Sequence, residues 1–194
     1  RFDAALAGVK QLEHKLQSAI KAWQKFLDSQ NGVRKWIQEA QSLIAVKHID
    51  SKENVEKHKE FFGKSNEHLL TDYLQSAKEL EKYVADDEKA TVRAQVTQLQ
   101  EKWNEIQAFA PLHMMKVEFR LDEDTFVRYL KEIEKQILDE NQAFQKSENV
   151  SQIIQQHTEF FKQGEIVRKA EKLLDNLKQI SGVYKQARPA DNSL

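Results

Sequence analysis

The six histidines are the residues of this 194-residue chain with the most distinctive chemistry, because imidazole binds metals and transfers protons near neutral pH. No two of them are spaced as H-x-x-x-H or H-E-x-x-H, and the chain has no cysteine that could complete a zinc site. His58, His113 and His157 instead fall on or beside apolar stripes of helical period. The sequence therefore predicts histidines packed between helices, and no metal site.

The acidic run at 122–125, DEDT, lacks the D-x-D-x-D-G spacing and the later bidentate glutamate of a calcium loop, so we interpret it as a helix cap. A di-iron bundle needs two Glu-x-x-His pairs, a spacing that Glu67-His68 and Glu56-x-His58 do not have. The chain also contains no glycine-rich phosphate loop, nucleophile elbow or serine triad signature. We predict a protein that is not an enzyme, with no cofactor and no small-molecule substrate.

The charge balance argues against nucleic acid and anionic membranes as partners. Thirty basic residues face thirty-one acidic ones, and the two signs are interspersed along the chain. Binding to either polyanion calls for a basic excess. The lack of cysteine suits a reducing compartment, and no apolar run is long enough to span a bilayer. We expect a cytoplasmic segment without direct membrane contact.

The low content of turn-forming residues predicts an all-α fold, since five glycines and two prolines are too few for sheets with tight turns. From Phe2 to Ile44 the apolar residues follow a seven-residue grid, widened by neighbours such as Leu27 and Trp36. A stripe this wide has room for two neighbouring helices and therefore predicts a bundle. The large apolar side chains predicted for its core are Trp23, Trp36, Phe62 and Trp103.

An internal repeat of about one hundred residues runs through the chain. Glu53-Asn54-Val55 recurs as Glu148-Asn149-Val150 at an offset of 95, and Phe61-Phe62 recurs as Phe160-Phe161 at an offset of 99. The difference between the two offsets indicates a four-residue insertion. The recurrence indicates that one structural unit occurs twice along the chain.

Two stretches resemble the spectrin-repeat family. FLDSQNGVRKWIQEAQSLI at 26–44 is similar to the first helix of such a repeat, and VTQLQEKWNEIQ at 96–107 is similar to the third. Trp36 and Trp103 occupy the tryptophan positions typical of these two helices. The resemblance covers nearly the whole chain and implies left-handed three-helix bundles that share a long connecting helix.

The resemblance also implies a division into domains. Residues 1–19 would be the end of a preceding helix, 20–117 a first repeat, 118–182 the first two helices of a second repeat, and 183–194 a loop or disordered tail. The second repeat departs from the family pattern because its first helix has no tryptophan and its third helix is lacking. These features resemble the giant cytoskeletal linkers, the nesprins ahead of dystrophin and utrophin.

As a function, the resemblance implies a non-catalytic rod segment that serves as a spacer and a protein-docking surface. The implied partners are actin filaments, formin-like actin-organising proteins or other scaffold proteins. The implied location is the cytoskeleton, and through the parent protein the outer nuclear envelope.

The lack of a third helix predicts an apolar groove between the two helices of the second repeat. A helix of another chain could fill it, the given sequence could stop before a third helix that a longer chain supplies, or the pair could repack or associate with a second copy. We predict that the groove is lined by Phe126, Ile133, Ile137, Ile153, Phe160 and Val167. Gly32 and Pro111, residues that weaken a helix, are candidate hinges.

Two other all-α interpretations remain open. Long helices with a proline kink also suit a membrane-shaping dimer of the BAR type, although that class needs a basic concave face that the mixed charges do not supply. A plain parallel coiled-coil dimer is opposed by the width of the apolar stripes. Sedimentation with anionic vesicles would separate the first of these from a rod segment.

Overall fold

The structure, a computed structural model, describes residues 2–46, 51–146, 149–191 and 193–194. Every regular element in these ranges is helical, which confirms the prediction of an all-α fold. The elements are α1 Phe2–Ile44, α2 Lys52–Gly63, α3 Glu67–Leu80, α4 Asp86–Gln145, α5 Val150–Thr158, a π-helical turn Glu159–Gln163, and α6 Glu165–Ala187.

The two copies of the repeated phrase begin their helices differently. The side chain of Asn149 accepts hydrogen bonds from the backbone N–H of Ser151 (3.1 Å) and of Gln152 (3.3 Å), so it is the N-cap of α5. At the start of α2 the N–H of Asn54 instead donates to the Ser51 hydroxyl at 3.3 Å. Asn54 therefore lies inside its helix while Asn149 precedes one, which accounts for the shorter offset of this part of the repeat. Glu148 lies outside the described residues.

Both phenylalanine pairs precede a glycine at an interruption of the helix. Phe61-Phe62 is followed by Gly63, the last residue of α2, and Phe160-Phe161 lies in the π-helical turn that ends before Gly164. A β-carbon on Gly164 would lie 1.9 Å from the Phe160 carbonyl oxygen, so glycine is required where this turn passes into α6.

The chain forms two compact units, of which the first contains Arg1–Val46 and Glu60–Ala110. In this unit the second half of α1 packs against α3 and the first half of α4, with Trp36 and Trp103 in ring contact at 3.9 Å. Phe26 stacks on Tyr73 at 5.4 Å, and Trp36 contacts Phe61 at 5.7 Å. A core on three helices is what the wide stripe of α1 requires.

The core predictions for Trp36 and Trp103 are confirmed, since both side chains are buried. Phe62 is half-buried and packs against the same core. The prediction for Trp23 is wrong, because 38% of its surface is exposed. Its ring packs edge-on against Phe26 at 6.1 Å near one end of the bundle, where the antiparallel α3 approaches its last residue, Leu80.

The second unit contains Lys47–Lys59 and Pro111–Leu194. Here α6 and α5 lie antiparallel along the second half of α4, as shown by three side-chain contacts: Tyr184 with Lys116, Asn176 with Asp122, and His157 with Glu140. The buried side chains of α6 are Ala170, Leu177 and Tyr184, and α5 contributes none. Val55 and Val117 form a small buried cluster with Met114 and Leu121 beside them.

Neither candidate hinge ends a helix. The first helix is continuous through Gly32, and α4 is continuous through Pro111, although proline removes one backbone hydrogen bond. Ala110 and His113 on either side of the proline are buried. Neither residue therefore interrupts its helix, and motion at either residue stays a prediction.

The C-terminal helix extends five residues beyond its predicted end at 182, to Ala187. After it, Asp191 accepts hydrogen bonds from the Tyr184 hydroxyl (2.6 Å) and the Lys116 ammonium (3.1 Å). The described part of the tail is thus an irregular segment with side-chain partners. The repeat boundaries remain a prediction, because the compact units divide α2 and α4 at other residues.

Candidate interaction surface

One side of the second unit exposes a line of large apolar side chains on α4. Leu130, Ile137 and Phe144 are seven residues apart, so they lie on one face of the helix, and all three are exposed. Between them and α6 lies the half-buried column of Phe126 and Ile133. The exposed line therefore flanks the packed seam.

The facing wall is built by α6. Leu174 precedes the buried Leu177 by three residues, as Leu130 precedes the half-buried Ile133. Because α4 and α6 are antiparallel, residues three positions before the inward ones lie on the same side of the helix pair. The exposed Leu174 and the half-buried Val167 thus face the same side as the exposed line of α4. We call the surface formed by Leu130, Ile137, Phe144, Val167 and Leu174 the open groove.

The predicted groove residues fall mostly on the seam between the helices. The half-buried members are Phe126, Ile133, Ile153, Phe160 and Val167. Ile137, by contrast, is 43% exposed and Val167 lies on the groove wall, so two of the six predicted residues belong to the open groove. Leu130, Phe144 and Leu174 were not predicted. An offset of 100 residues from Gln30, Ile37 and Ile44, one column of the first stripe, would have identified the two on α4.

The equivalent positions of the first unit are covered. Gln30 and Ile37 are buried, and Ile44 packs against the core. The cover is the first half of α4, since the Gln30 side-chain amide donates a hydrogen bond to the side-chain oxygen Oε1 of Gln95 at 3.1 Å. The residue numbers of the contacts Gln30 to Gln95 and Trp36 to Trp103 increase together along both helices, so the first half of α4 is parallel to α1.

A second exposed apolar surface lies on the first half of α1. Its large side chains repeat at heptad spacing and each is exposed, which leaves this helix face without a neighbour in the described part of the chain. We call it the α1 stripe; it consists of Phe2, Leu6, Val9, Leu12, Leu16, Ile20, Trp23 and Leu27.

The second unit also buries a pair of histidines. The rings of His58 and His113 are 5.2 Å apart, and Nδ1 of His58 lies 2.7 Å from the Asn54 carbonyl oxygen. Burial, together with the nearby His58 and Lys116, lowers the pKa of His113 to about 4. At neutral pH His113 is therefore uncharged, as its packed position requires.

The predictions for these two histidines as packed helix residues are confirmed, since both are buried. The prediction for His157 is wrong: its side chain is 54% exposed and its Nδ1 lies 2.8 Å from a Glu140 carboxylate oxygen. The described residues contain no group of three or more histidine, aspartate or glutamate side chains that could hold a metal ion.

The charged groups around Asp191 tie the end of the chain to α4. Hydrogen bonds from Ser193, Tyr184 and Lys116 lower the pKa of Asp191 well below its usual range. Burial lowers the pKa of Lys116, but its bonds to Tyr184 and Asp191 outweigh this effect and the net shift is upward. Both shifts favour the charged forms, so the ion pair of Lys116 and Asp191 holds the described end of the chain against α4.

Fold and surface together define an all-α bundle protein whose candidate interaction surfaces are apolar helix faces. No helix within the described ranges is long and apolar enough to cross a membrane. The chain is 36% identical over all 194 residues to a segment of Muscle-specific protein 300 kDa from Drosophila melanogaster. It covers 2% of that relative, so it corresponds to a small segment of a very long muscle-specific protein. No protein-family model matches the chain, and no solved structure matches it.

Proposed function

We propose that this chain is a non-catalytic rod segment of a giant cytoskeletal linker of the nesprin group, acting as a spacer and as a docking surface for proteins. The observation that carries the proposal is the identity of 36% along the whole chain to a segment that makes up 2% of a muscle-specific protein. Similarity that is continuous over two helical units suits a polypeptide that grows by the addition of such units.

The spacer role is supported by the length of the helices. The first helix alone has 43 residues, which at 1.5 Å per residue extend over about 65 Å. Few residues therefore cover a long distance, and the even mixture of charges keeps the surface hydrated. A catalytic role has no comparable support, because the buried rings of His58 and His113 pack against each other between helices.

The docking role takes support from the amount of apolar surface that the helices leave exposed. The partners we propose are actin filaments, formin-like actin-organising proteins or other scaffold proteins, at the cytoskeleton and, through the parent protein, at the outer nuclear envelope. The resemblance to spectrin repeats is what suggests actin in particular.

Co-sedimentation with purified actin filaments tests the direct form of this proposal. We expect residues 1–194 to pellet with filaments in a saturable manner, with a Kd on the order of 1–100 µM. A parallel sample with anionic vesicles tests the alternative of a membrane-shaping dimer. Pelleting with vesicles but not with filaments would overturn the proposal, and pelleting with neither would remove actin as a direct partner.

A further inference from the structure

A cleft opens where three helices of the second unit converge. The start of α2, the middle of α4 and the second half of α6 surround a hollow of about 540 Å³, within the roughly 300–1,000 Å³ that is typical of ligand sites. The apolar part of its lining consists of Val55, Leu121 and Ile180. Val55 is buried and the other two are half-buried, so apolar surface remains available to a guest molecule. We call this hollow the three-helix cleft.

The three-helix cleft is separate from the open groove. Ile180 follows the buried Leu177 by three residues, whereas Leu174 of the groove wall precedes it by three. Ile180 and Leu174 therefore lie on opposite sides of the inward line of α6. A helix that covered the open groove would leave the three-helix cleft accessible, so access to the cleft does not depend on whether that groove is filled.

The charged rim of the cleft has a net negative charge. Lys59 lies 3.2 Å from a Glu118 oxygen and 3.7 Å from a Glu56 oxygen, so its charge is shared by two carboxylates. Asp122 instead accepts a hydrogen bond at 2.6 Å from the neutral side-chain amide of Asn176. The carboxylates of the rim outnumber its ammonium groups: they are Glu56, Glu118 and Asp122 against Lys52 and Lys59. Asp122, half-buried and held by Asn176, is therefore the rim group that would select a cationic guest.

We infer that the three-helix cleft binds a segment of a partner protein in which a large apolar side chain stands next to an arginine. The apolar side chain fills the hollow against Leu121 and Ile180, and the guanidinium donates hydrogen bonds to the Asp122 carboxylate. Burial of the apolar side chain supplies most of the affinity, while the carboxylate supplies the preference for a cation. The inference rests on the proposed docking role, since the guest belongs to a protein.

Methyl NMR spectroscopy on the full chain tests the cleft with small probes. The probe N-acetyl-Trp-Arg-amide should shift the methyl signals of Val55, Leu121 and Ile180 with a Kd on the order of 1 mM, because a single apolar anchor buries little surface. N-acetyl-Trp-Glu-amide and N-acetyl-Gly-Arg-amide, which each lack one part of the guest, should bind at least about tenfold more weakly. Equal binding of the Trp-Arg and Trp-Glu probes would overturn the inference, as would shifts confined to methyl groups of the open groove such as those of Ile137.

A variant of Asp122 identifies the group that selects the cation. Asp122→Asn removes the charge and keeps an oxygen that can accept the hydrogen bond from Asn176. We expect this variant to bind the Trp-Arg probe about tenfold more weakly and N-acetyl-Trp-Gln-amide as the wild type does, with unchanged circular dichroism. Asp139→Asn, at an exposed position elsewhere on α4, is the matched control and should leave both affinities unchanged.

Two further outcomes would contradict the inference. An Asp122→Asn variant that keeps its affinity for the Trp-Arg probe would assign the cation to another group. The absence of any methyl shift at about 10 mM probe would remove the cleft as a binding site, while leaving the rod-segment proposal to the actin experiment. Failure of the chain to pellet with actin filaments would in turn leave the result with the probes unaffected, so the two proposals can fail separately.

Discussion

Equivalent helix positions are buried in the first compact unit and exposed in the second. In the first unit Gln30 and Ile37 are buried under a third helix, and in the second unit Leu130 and Ile137 are exposed because none is present in the described residues. The apolar pattern of a helix thus says which face can be buried, while the number of neighbouring helices decides whether it is. Because most helix stability comes from packing, the closed unit should depend strongly on single core residues and the open unit weakly.

Replacing Trp103 by alanine, in the closed first unit, should lower the free energy of unfolding more than any other variant proposed. Trp103 is 3% exposed and its ring lies 3.9 Å from that of Trp36, so we expect a loss of about 3–5 kcal/mol in the free energy of unfolding, measured by urea denaturation. Ile137→Ala, in the open groove, should cost less than about 1 kcal/mol. Similar losses in the two variants would contradict the contrast between a closed and an open unit.

The stability of the second unit should fall in acid because the buried His113 resists protonation in the fold. His113 has a pKa of about 4 in the fold and about 6.5 when unfolded, so between these values the unfolded chain binds the extra proton. Its contribution is complete above about pH 6.5 and is lost progressively toward pH 4, by roughly 3 kcal/mol in total. The measurement is the free energy of unfolding at pH 7, 6, 5 and 4.5.

The control for this prediction is His113→Gln, which removes the titrating ring. The variant should be less sensitive to pH between 6.5 and 4.5 than the wild type, whatever its stability at pH 7. The carboxylates with lowered pKa, such as Glu81 and Asp86, act at lower pH and are present in both proteins. An identical pH profile in the two chains would show that His113 is not the group responsible.

Gly164→Ala should destabilise the second unit, although substitutions at the end of a helix usually have small effects. The new β-carbon would overlap the Phe160 carbonyl oxygen, so the π-helical turn must shift, at a cost of about 1–3 kcal/mol. Thermal unfolding followed by circular dichroism would register this as a lower Tm. A Tm equal to that of the wild type would mean that the turn has a different backbone.

The smallest effect is expected for Gly182→Ala, which should stabilise the protein where the preceding variants destabilise it. Gly182 lies inside α6, and apart from its chain neighbours and the nearby backbone of α6 itself, no atom lies within 4 Å of the position that a β-carbon would take there. Gly182→Ala should therefore raise the free energy of unfolding by about 0.5–1 kcal/mol through helix propensity alone. This variant is the matched control for Gly164→Ala, since each adds one methyl group. A destabilising Gly182→Ala would contradict the open helical position assigned to this residue.

The sequence predicted the all-α fold and the burial of Trp36 and Trp103, because heptad spacing and few turn residues restrict these outcomes. It failed for Trp23, whose place in the stripe is regular but lies near one end of the bundle. The groove was predicted as a consequence of a lacking third helix, yet its rim residues Leu130 and Phe144 were missed. Periodicity locates a seam but does not distinguish its buried centre from its exposed edge. The π-helical turn has no periodic signal and could not be predicted.

Hydrogen exchange resolved by segment and read by mass spectrometry is the most direct test of one closed and one open unit. We predict that amides in α1 from 26 to 40 and in α4 from 92 to 106 exchange at least about tenfold more slowly than those in α4 from 130 to 144. The burial of the first two segments and the exposure of the third are the reason. Equal protection of all three segments would contradict the account.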